Sequence, residues 1–445
     1  MGPPRREDAD MPRAGGLRRL TLPAPVAGLL RSDFARKVAE TFGTRVLLIA
    51  LNGVNTILIA RLLGPDGRGQ YAVAIAVSVI AAQVLSLGLQ SANTYFVARD
   101  GSLLARLTSN TIALAASVAA IVAVGFGLFA LLPAASPVPL PLMALGLAAV
   151  PPMLLVLNLR HLLLGIGEVR AYNSVDLISG MAGVAMTLAL AVTGAATPAS
   201  LLGVVVLIVL IGLGVATRSL RPHVGRLPRP SGELLRRCVP YGFRVYLATG
   251  FGLLVLKSDL LVIQYVDGAE ATGLYSVASS IADMLWILPS VVGAILFPRL
   301  AAISESRERW RLTLRTTAGT MALFVPMLAA VALVAPIAIR ILFGADFEAA
   351  AGPLRILCAA ILFYGATSIF SQFLAARGYP WIVVWIWIAG FFLNLGLTLF
   401  MVPSLGIDGA ALASLISYAA VFCGIFAVSV RAAGEDAKAA PDTTP

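Results

Sequence analysis

Ile112–Leu132 reads IALAASVAAIVAVGFGLFALL, an apolar stretch with no charged residue. Its length matches the roughly 20 residues a helix needs to cross about 30 Å of hydrocarbon. A spanning β-strand would alternate apolar and polar side chains, whereas this stretch is apolar on every face, so it is a helix. Leu201–Ala216 has the same character, and such runs recur along the 445-residue chain. Apolar residues make up 59% of it and charged residues 12%, with mean hydropathy +0.91. Soluble domains carry about 25% charge, so the surface of this chain is built for lipid.

Working outward, the pattern predicts an all-α membrane protein with about twelve spanning helices, over 41–60, 70–97, 107–132, 138–158, 171–193, 199–217, 239–265, 272–298, 316–339, 350–375, 380–403 and 408–430. Pro and Gly mark the turns at Gly64-Pro65-Asp66-Gly67, Gly378-Tyr379-Pro380 and Gly406-Ile407-Asp408-Gly409. Residues 1–33 and 431–445 read as cytoplasmic tails, the first basic and disordered, and neither contains an apolar core of signal-peptide length.

The net charge of +11 does not indicate nucleic acid, because the basic residues sit in short loops rather than on one folded basic surface. Nearly all of them fall on the side of the termini. The exceptions are Arg61, Arg68, Lys257, Arg340 and Arg355 on the other side, and Arg244 within span 7. The positive-inside rule then places both termini in the cytoplasm and the chain in the cytoplasmic (inner) membrane. Cys238, Cys358 and Cys423 lie in or at the ends of apolar segments and form no disulfide framework. Two histidines and scattered carboxylates offer no metal-ligand spacing, so no metal site is expected. Gly165-Ile166-Gly167 follows no strand and is not a nucleotide fingerprint.

The longest hydrophilic connection, the basic segment 218–237, follows six spans. It divides the chain into an N-lobe, 34–217, and a C-lobe, 238–430. The lobes repeat: Gly69-Gln70-Tyr71-Ala72-Val73-Ala74 opens span 2, and Gly273-Leu274-Tyr275-Ser276-Val277-Ala278 opens span 8, 204 residues later. Both copies enter from the same side, so the repeat is parallel, with a pseudo-twofold axis along the membrane normal. Two such lobes around a central cavity have the geometry of alternating access.

Ala60–Tyr71 (ARLLGPDGRGQY) resembles the first outer turn of the polysaccharide transporters, the O-antigen and exopolysaccharide flippases of the multidrug/oligosaccharidyl-lipid/polysaccharide exporter superfamily. Lys257-Ser258-Asp259-Leu260-Leu261 through Ala278 is similar to their helix 7–8 region. Phe297-Pro298-Arg299-Leu300 is similar to the end of their helix 8, and Gly406-Ile407-Asp408-Gly409-Ala410-Ala411 to their final hairpin. Together these stretches run through residues 34–430. The resemblance implies an oligosaccharide cargo on a polyprenyl pyrophosphate, moved from inner to outer leaflet without ATP and handed to a polysaccharide polymerase. It implies no cofactor beyond a coupling proton or sodium ion. The partners expected are the cargo, membrane lipids and a polysaccharide polymerase, with no nucleic acid, and a monomer is the default.

Such cargo needs cations for phosphate and amides or hydroxyls for sugars inside the membrane, where charge is costly. Arg45 and Arg244 lie early in the equivalent spans 1 and 7, placed either to face one cytoplasmic mouth or to snorkel to headgroups. Asn52 and Asn55, with Thr56, continue a polar stripe from Arg45 at helical spacing, for substrate or for interhelical bonds. Asp283, near the middle of span 8, is a candidate for ion coupling or for pairing with a basic residue such as Arg244. Asp176, early in span 5, is a second carboxylate near the inner mouth, more suited to a salt bridge. Lys257 and Asp259 lie towards the outer end of span 7, placed either to pair across the lobes as a gate or to sit at the interface near headgroups.

Three other functions compete. A multidrug exporter or a peptidoglycan-precursor flippase of the same superfamily would share the fold. The two deep arginines disfavour a cationic drug, and precursor flippases usually carry two further C-terminal helices. A major-facilitator transporter would show a glycine- and arginine-patterned loop after span 2, where Ala98-Arg99-Asp100-Gly101-Ser102 stands. An integral membrane enzyme would need a carboxylate or histidine constellation, and only His161 and His223 are present.

Overall fold

The computed structural model describes residues 35–131, 136–303 and 305–439. The tail expected over 1–33 lies outside them, as does the end of the second tail, 440–445. The structure divides into two units, residues 1–46 and 47–445, and the architecture below is that of the second.

The described residues form twelve α-helices. They are α1 (Ala35–Leu85), α2 (Leu89–Arg99), α3 (Leu104–Phe129), α4 (Leu140–Ala148), α5 (Val150–Gly165), α6 (Val169–Thr193), α7 (Pro198–Leu220), α8 (Gly232–Val266), α9 (Gly268–Ala302), α10 (Ser306–Leu342), α11 (Ala351–Ala375) and α12 (Trp381–Ala439). No strand occurs among the described residues. Ten helical stretches are long and apolar enough to cross a membrane, and two of them, Gly43–Leu85 and Trp381–Glu435, have 43 and 55 residues. Either is about twice what one crossing needs. Each is broken by one glycine in non-helical geometry, Gly64 (φ 65°) and Gly406 (φ 56°). At Gly64 the following Pro65 starts the next helix, where its missing N–H is no loss. The described residues therefore make twelve crossings, as a multi-pass membrane protein.

Even numbering places the 221–231 linker and the end of α12 on one face, called here the linker face. The kinks at Gly64 and Gly406 and the α8–α9 turn lie on the opposite face. The second half packs around α11, whose Leu354, Leu357, Ile361, Phe370 and Phe373 are buried among α8, α9, α10 and α12. The first half has smaller apolar clusters, around Leu159, Leu162 and Val175 near the linker face and Leu142, Leu201 and Leu202 towards the other.

Several boundaries differ from expectation. The second span breaks at Leu87 (φ 50°) and Gly88 (φ 70°). A Cβ at Gly88 would meet the Cβ of Tyr246 at 2.7 Å, and one at Gly242 would meet the Gly88 carbonyl at 2.6 Å. The helix yields there to the close passage of α8. Helix α10 begins at Ser306 rather than 316, because Glu308 to Arg315 continue the helix beyond its apolar part.

Candidate functional site

The repeated glycines meet. A Cβ on Gly69 would stand 1.8 Å from the Ala269 carbonyl oxygen, and one on Gly273 would stand 1.9 Å from that of Pro65. The two contacts exchange under the 204-residue shift, so the pseudo-twofold axis passes between the two glycines. No side chain fits, and the backbones of α1 and α9 touch across the seam between the halves. Arg61 adds a second cross-half contact near the same face. Its Nε and Nη2 donate to the carbonyls of Leu342 (2.7 Å) and Ile341 (2.5 Å), which end α10 without intrahelical partners. Near the linker face, Tyr246 donates to the Val84 carbonyl, and Asn110 exchanges two hydrogen bonds with the Ser231 backbone at 2.7 and 3.1 Å.

Beside Gly69, Arg68 is only 6% exposed. Its Nε donates to Ser276 Oγ (3.1 Å) and its Nη2 to Ser280 Oγ (3.3 Å), and its guanidinium lies 5.5 Å from the Tyr71 ring centre. No described carboxylate pairs with it. Ser276, Ser280 and Asp283 stand at i, i+4 and i+7 and so share one face of α9. On that face Asp283 accepts from Lys257 Nζ at 2.5 Å, with side chains 36% and 23% exposed. From the α8–α9 turn, Lys257 lies about 14 Å and Asp283 about 22 Å into the bundle by helix rise. One face of α9 therefore gathers two cations, from α1 and α8, against one carboxylate.

Asn52, about 18 Å from the Gly64 kink by helix rise, lies at the same depth. It is exposed, as are Leu47, Ala50 and Val54. At 100° per residue those apolar side chains lie about 140–160° around the helix from Asn52. They mark the lipid face, so Asn52 is exposed towards the interior of the bundle. Its neighbour Gly53 approaches Met284, next to Asp283 (3.8 Å from a Cβ at Gly53 to Sδ). Asn55 is half-buried, and its Oδ1 has no partner.

The other candidates lie elsewhere. Asp283 does not pair with Arg244, which by helix rise is about 33 Å from the turn and far below the carboxylate. Arg244 instead stacks over Trp381 at 5.1 Å, about 140° around α8 from Lys257. Lys257 and Asp259 do not bridge the halves. Lys257 is held within the second half by Asp283. Asp259, 1% exposed, accepts from Tyr275 (2.8 Å) and Ser414 (2.6 Å) in the core of that half. Asp176 pairs with Arg160 at 2.5 Å inside the first half. Arg45 is half-buried early in α1. Sequence reasoning missed Arg68, which it grouped with the exposed turn. The available signal was its place one residue before the repeated glycine.

The family model described as polysaccharide biosynthesis protein matches residues 58–352. The chain belongs to this family. Among solved structures, the family member is similar to an inward-facing multidrug resistance MATE transporter (TM-score 0.70, 12% identity, 89% of this chain and 99% of that one). It is equally similar to the lipid II flippase MurJ in an inward closed conformation (TM-score 0.70, 15% identity, 90% of each chain). A superfamily transporter from Pyrococcus furiosus, whose binding pocket is described as of reversed polarity, matches with TM-score 0.60 and 13% identity over 90% of this chain and 94% of that one. An uncharacterised membrane protein of Methanocaldococcus jannaschii is 26% identical over 222 residues, 49% of this chain and 44% of that protein. The likenesses establish the fold, which this polysaccharide biosynthesis protein shares with solved membrane transporters. The matched solved structures are of transporters and a flippase.

Proposed function

We propose that the protein flips an oligosaccharide linked to a polyprenyl diphosphate, from the cytoplasmic to the outer leaflet of the inner membrane, during assembly of a surface polysaccharide. The observation that carries this is the face of α9, where Arg68 and Lys257 stand against the single carboxylate of Asp283. A cationic drug would meet net repulsion there, and a diphosphate net attraction. Asn52 supplies an amide for the glycan at the same depth. The basic linker face is the cytoplasmic one by the positive-inside rule.

The Lys257–Asp283 pair also supplies a means of coupling. A diphosphate that draws Lys257 away leaves Asp283 without its partner, in a place that a coupling cation can take. The cycle needs no ATP and no second subunit, and the product passes to a polysaccharide polymerase. A strain lacking the gene is expected to accumulate lipid-linked repeat units in the inner leaflet, and Lys257→Ala is expected not to restore export. An unchanged lipid-linked pool in the deletion strain would overturn the reading. Resistance to organic cations that depends on the gene would favour drug export instead.

A further inference from the structure

We propose that Arg68 is the phosphate site for departing cargo, hidden behind Ser276 and Ser280 while the halves are closed at the opposite face and uncovered when they part there. This rests on the flippase reading and adds the residue and the state in which it acts.

The argument comes from a break in the symmetry of the seam. Under the 204-residue shift, Arg68 corresponds to Thr272, and Ser276 and Ser280 correspond to Ala72 and Ala76. One side of the axis is therefore Arg against two serines, and the other is Thr against two alanines. The glycine contacts at the axis are reciprocal and equally tight, and Thr272 is fully buried. Closing the seam thus needs no charge, because its neutral side closes as well. A guanidinium kept there without a carboxylate burdens the closed state, since two hydroxyl oxygens offset only part of its desolvation.

The donors in use point to the ligand. Ser276 and Ser280 occupy Nε and Nη2, the edge of the guanidinium that takes two oxygens of a phosphate side by side. Parting of α1 from α9 removes both hydroxyls at once and leaves that edge vacant. Asp283 lies one to two turns deeper than the two serines on the same face of α9, and Lys257 reaches it from α8, about 8 Å deeper than Arg68 by helix rise. Cargo moving towards the opposite face therefore passes from Lys257 to Arg68.

The test is binding of farnesyl diphosphate to the full chain in phosphatidylcholine nanodiscs. Gly69→Ala props the seam open, because its Cβ would meet backbone at 1.8 Å. It is expected to bind about tenfold more tightly than wild type, the worth of one charge-assisted contact. Arg68→Thr in that background removes the gain, and Arg68→Lys keeps part of it. Ser276→Ala with Ser280→Ala, which adds no bulk, shifts binding the same way by a smaller factor and decides the matter if Gly69→Ala does not fold. No gain in either background, or a gain that survives Arg68→Thr, overturns the assignment. So does a gain abolished by added phosphatidylglycerol, which would make the ligand a lipid headgroup. If wild type and every variant fail to bind farnesyl diphosphate, the flippase reading falls as well. If wild type binds and only the gain is missing, Arg68 alone is excluded.

Discussion

The two halves repeat their backbone devices and differ in their charges. Gly64 and Gly268 both turn with positive φ, Gly69 and Gly273 both press against a partner carbonyl, and Tyr71 and Tyr275 are both buried. At the same register, Gly53, Asn55 and Val79 of the first half stand where Lys257, Asp259 and Asp283 stand in the second. The mid-depth charges are therefore confined to the second half, and the first answers with Arg68 at the seam. What recurs is what closing a pair of lobes demands. What differs is where the charges reside that the proposed function assigns to the cargo.

The largest expected effect breaks the shared part. Gly69→Ala and Gly273→Ala should disfavour closure at the opposite face equally. At the upper end of overpacking costs, about 3 kcal/mol, closed-state occupancy falls on the order of a hundredfold. Aqueous maleimide labelling of a cysteine placed at Thr272 reads this directly, and unequal effects of the two alanines would break the symmetry argument.

Asp283→Asn sharpens the charged part. It leaves Lys257 without its partner in a half-exposed site, where solvent reduces the cost to about 1–2 kcal/mol of stability. Lys257→Met with Asp283→Asn should recover most of the loss in thermal unfolding. Transport by Asp283→Asn should lose its dependence on a proton or sodium gradient while diphosphate binding persists.

Asp259→Asn makes the second half resemble the first at the register of Asn55. Two hydroxyls donate to one Asp259 oxygen, and an amide can still accept them, so the expected cost is about 1 kcal/mol. Tyr275→Phe should cost about as much, and adding it to Asp259→Asn should add little. The smallest effect belongs to Arg244→Ala. It removes a cation–π contact worth about 0.5–1 kcal/mol and should leave transport within about twofold of wild type.

The span count and the turns were legible in the sequence, because apolar length and Gly-Pro punctuation are local signals. The Gly69 and Gly273 contact was foreshadowed by the repeat, although the repeat alone did not say that the two copies touch. The pairing of Asp283 was misread because Arg244 and Lys257 both lie in span 7. Counting from the Gly268 turn by helix rise, Lys257 lies about 8 Å above Asp283 and Arg244 about 11 Å below it, and the two lie on different sides of α8, of which the Lys257 side faces Asp283. The burial of Arg68 was illegible for a different reason. Within Gly64–Tyr71 only the Tyr71 ring lies against its guanidinium, and its hydrogen-bond partners Ser276 and Ser280 are more than 200 residues away. The break at Gly88 is likewise imposed by α8 rather than by local propensity.

The central claim, that a face of α9 with two cations against one carboxylate moves an anionic lipid-linked glycan, is tested most directly in reconstituted vesicles. A fluorescent glycan on a polyprenyl diphosphate, followed by membrane-impermeant quenching without ATP, should cross at a rate set by the protein and lost in Lys257→Ala. Equal rates in protein-free, wild-type and Lys257→Ala vesicles would contradict the account.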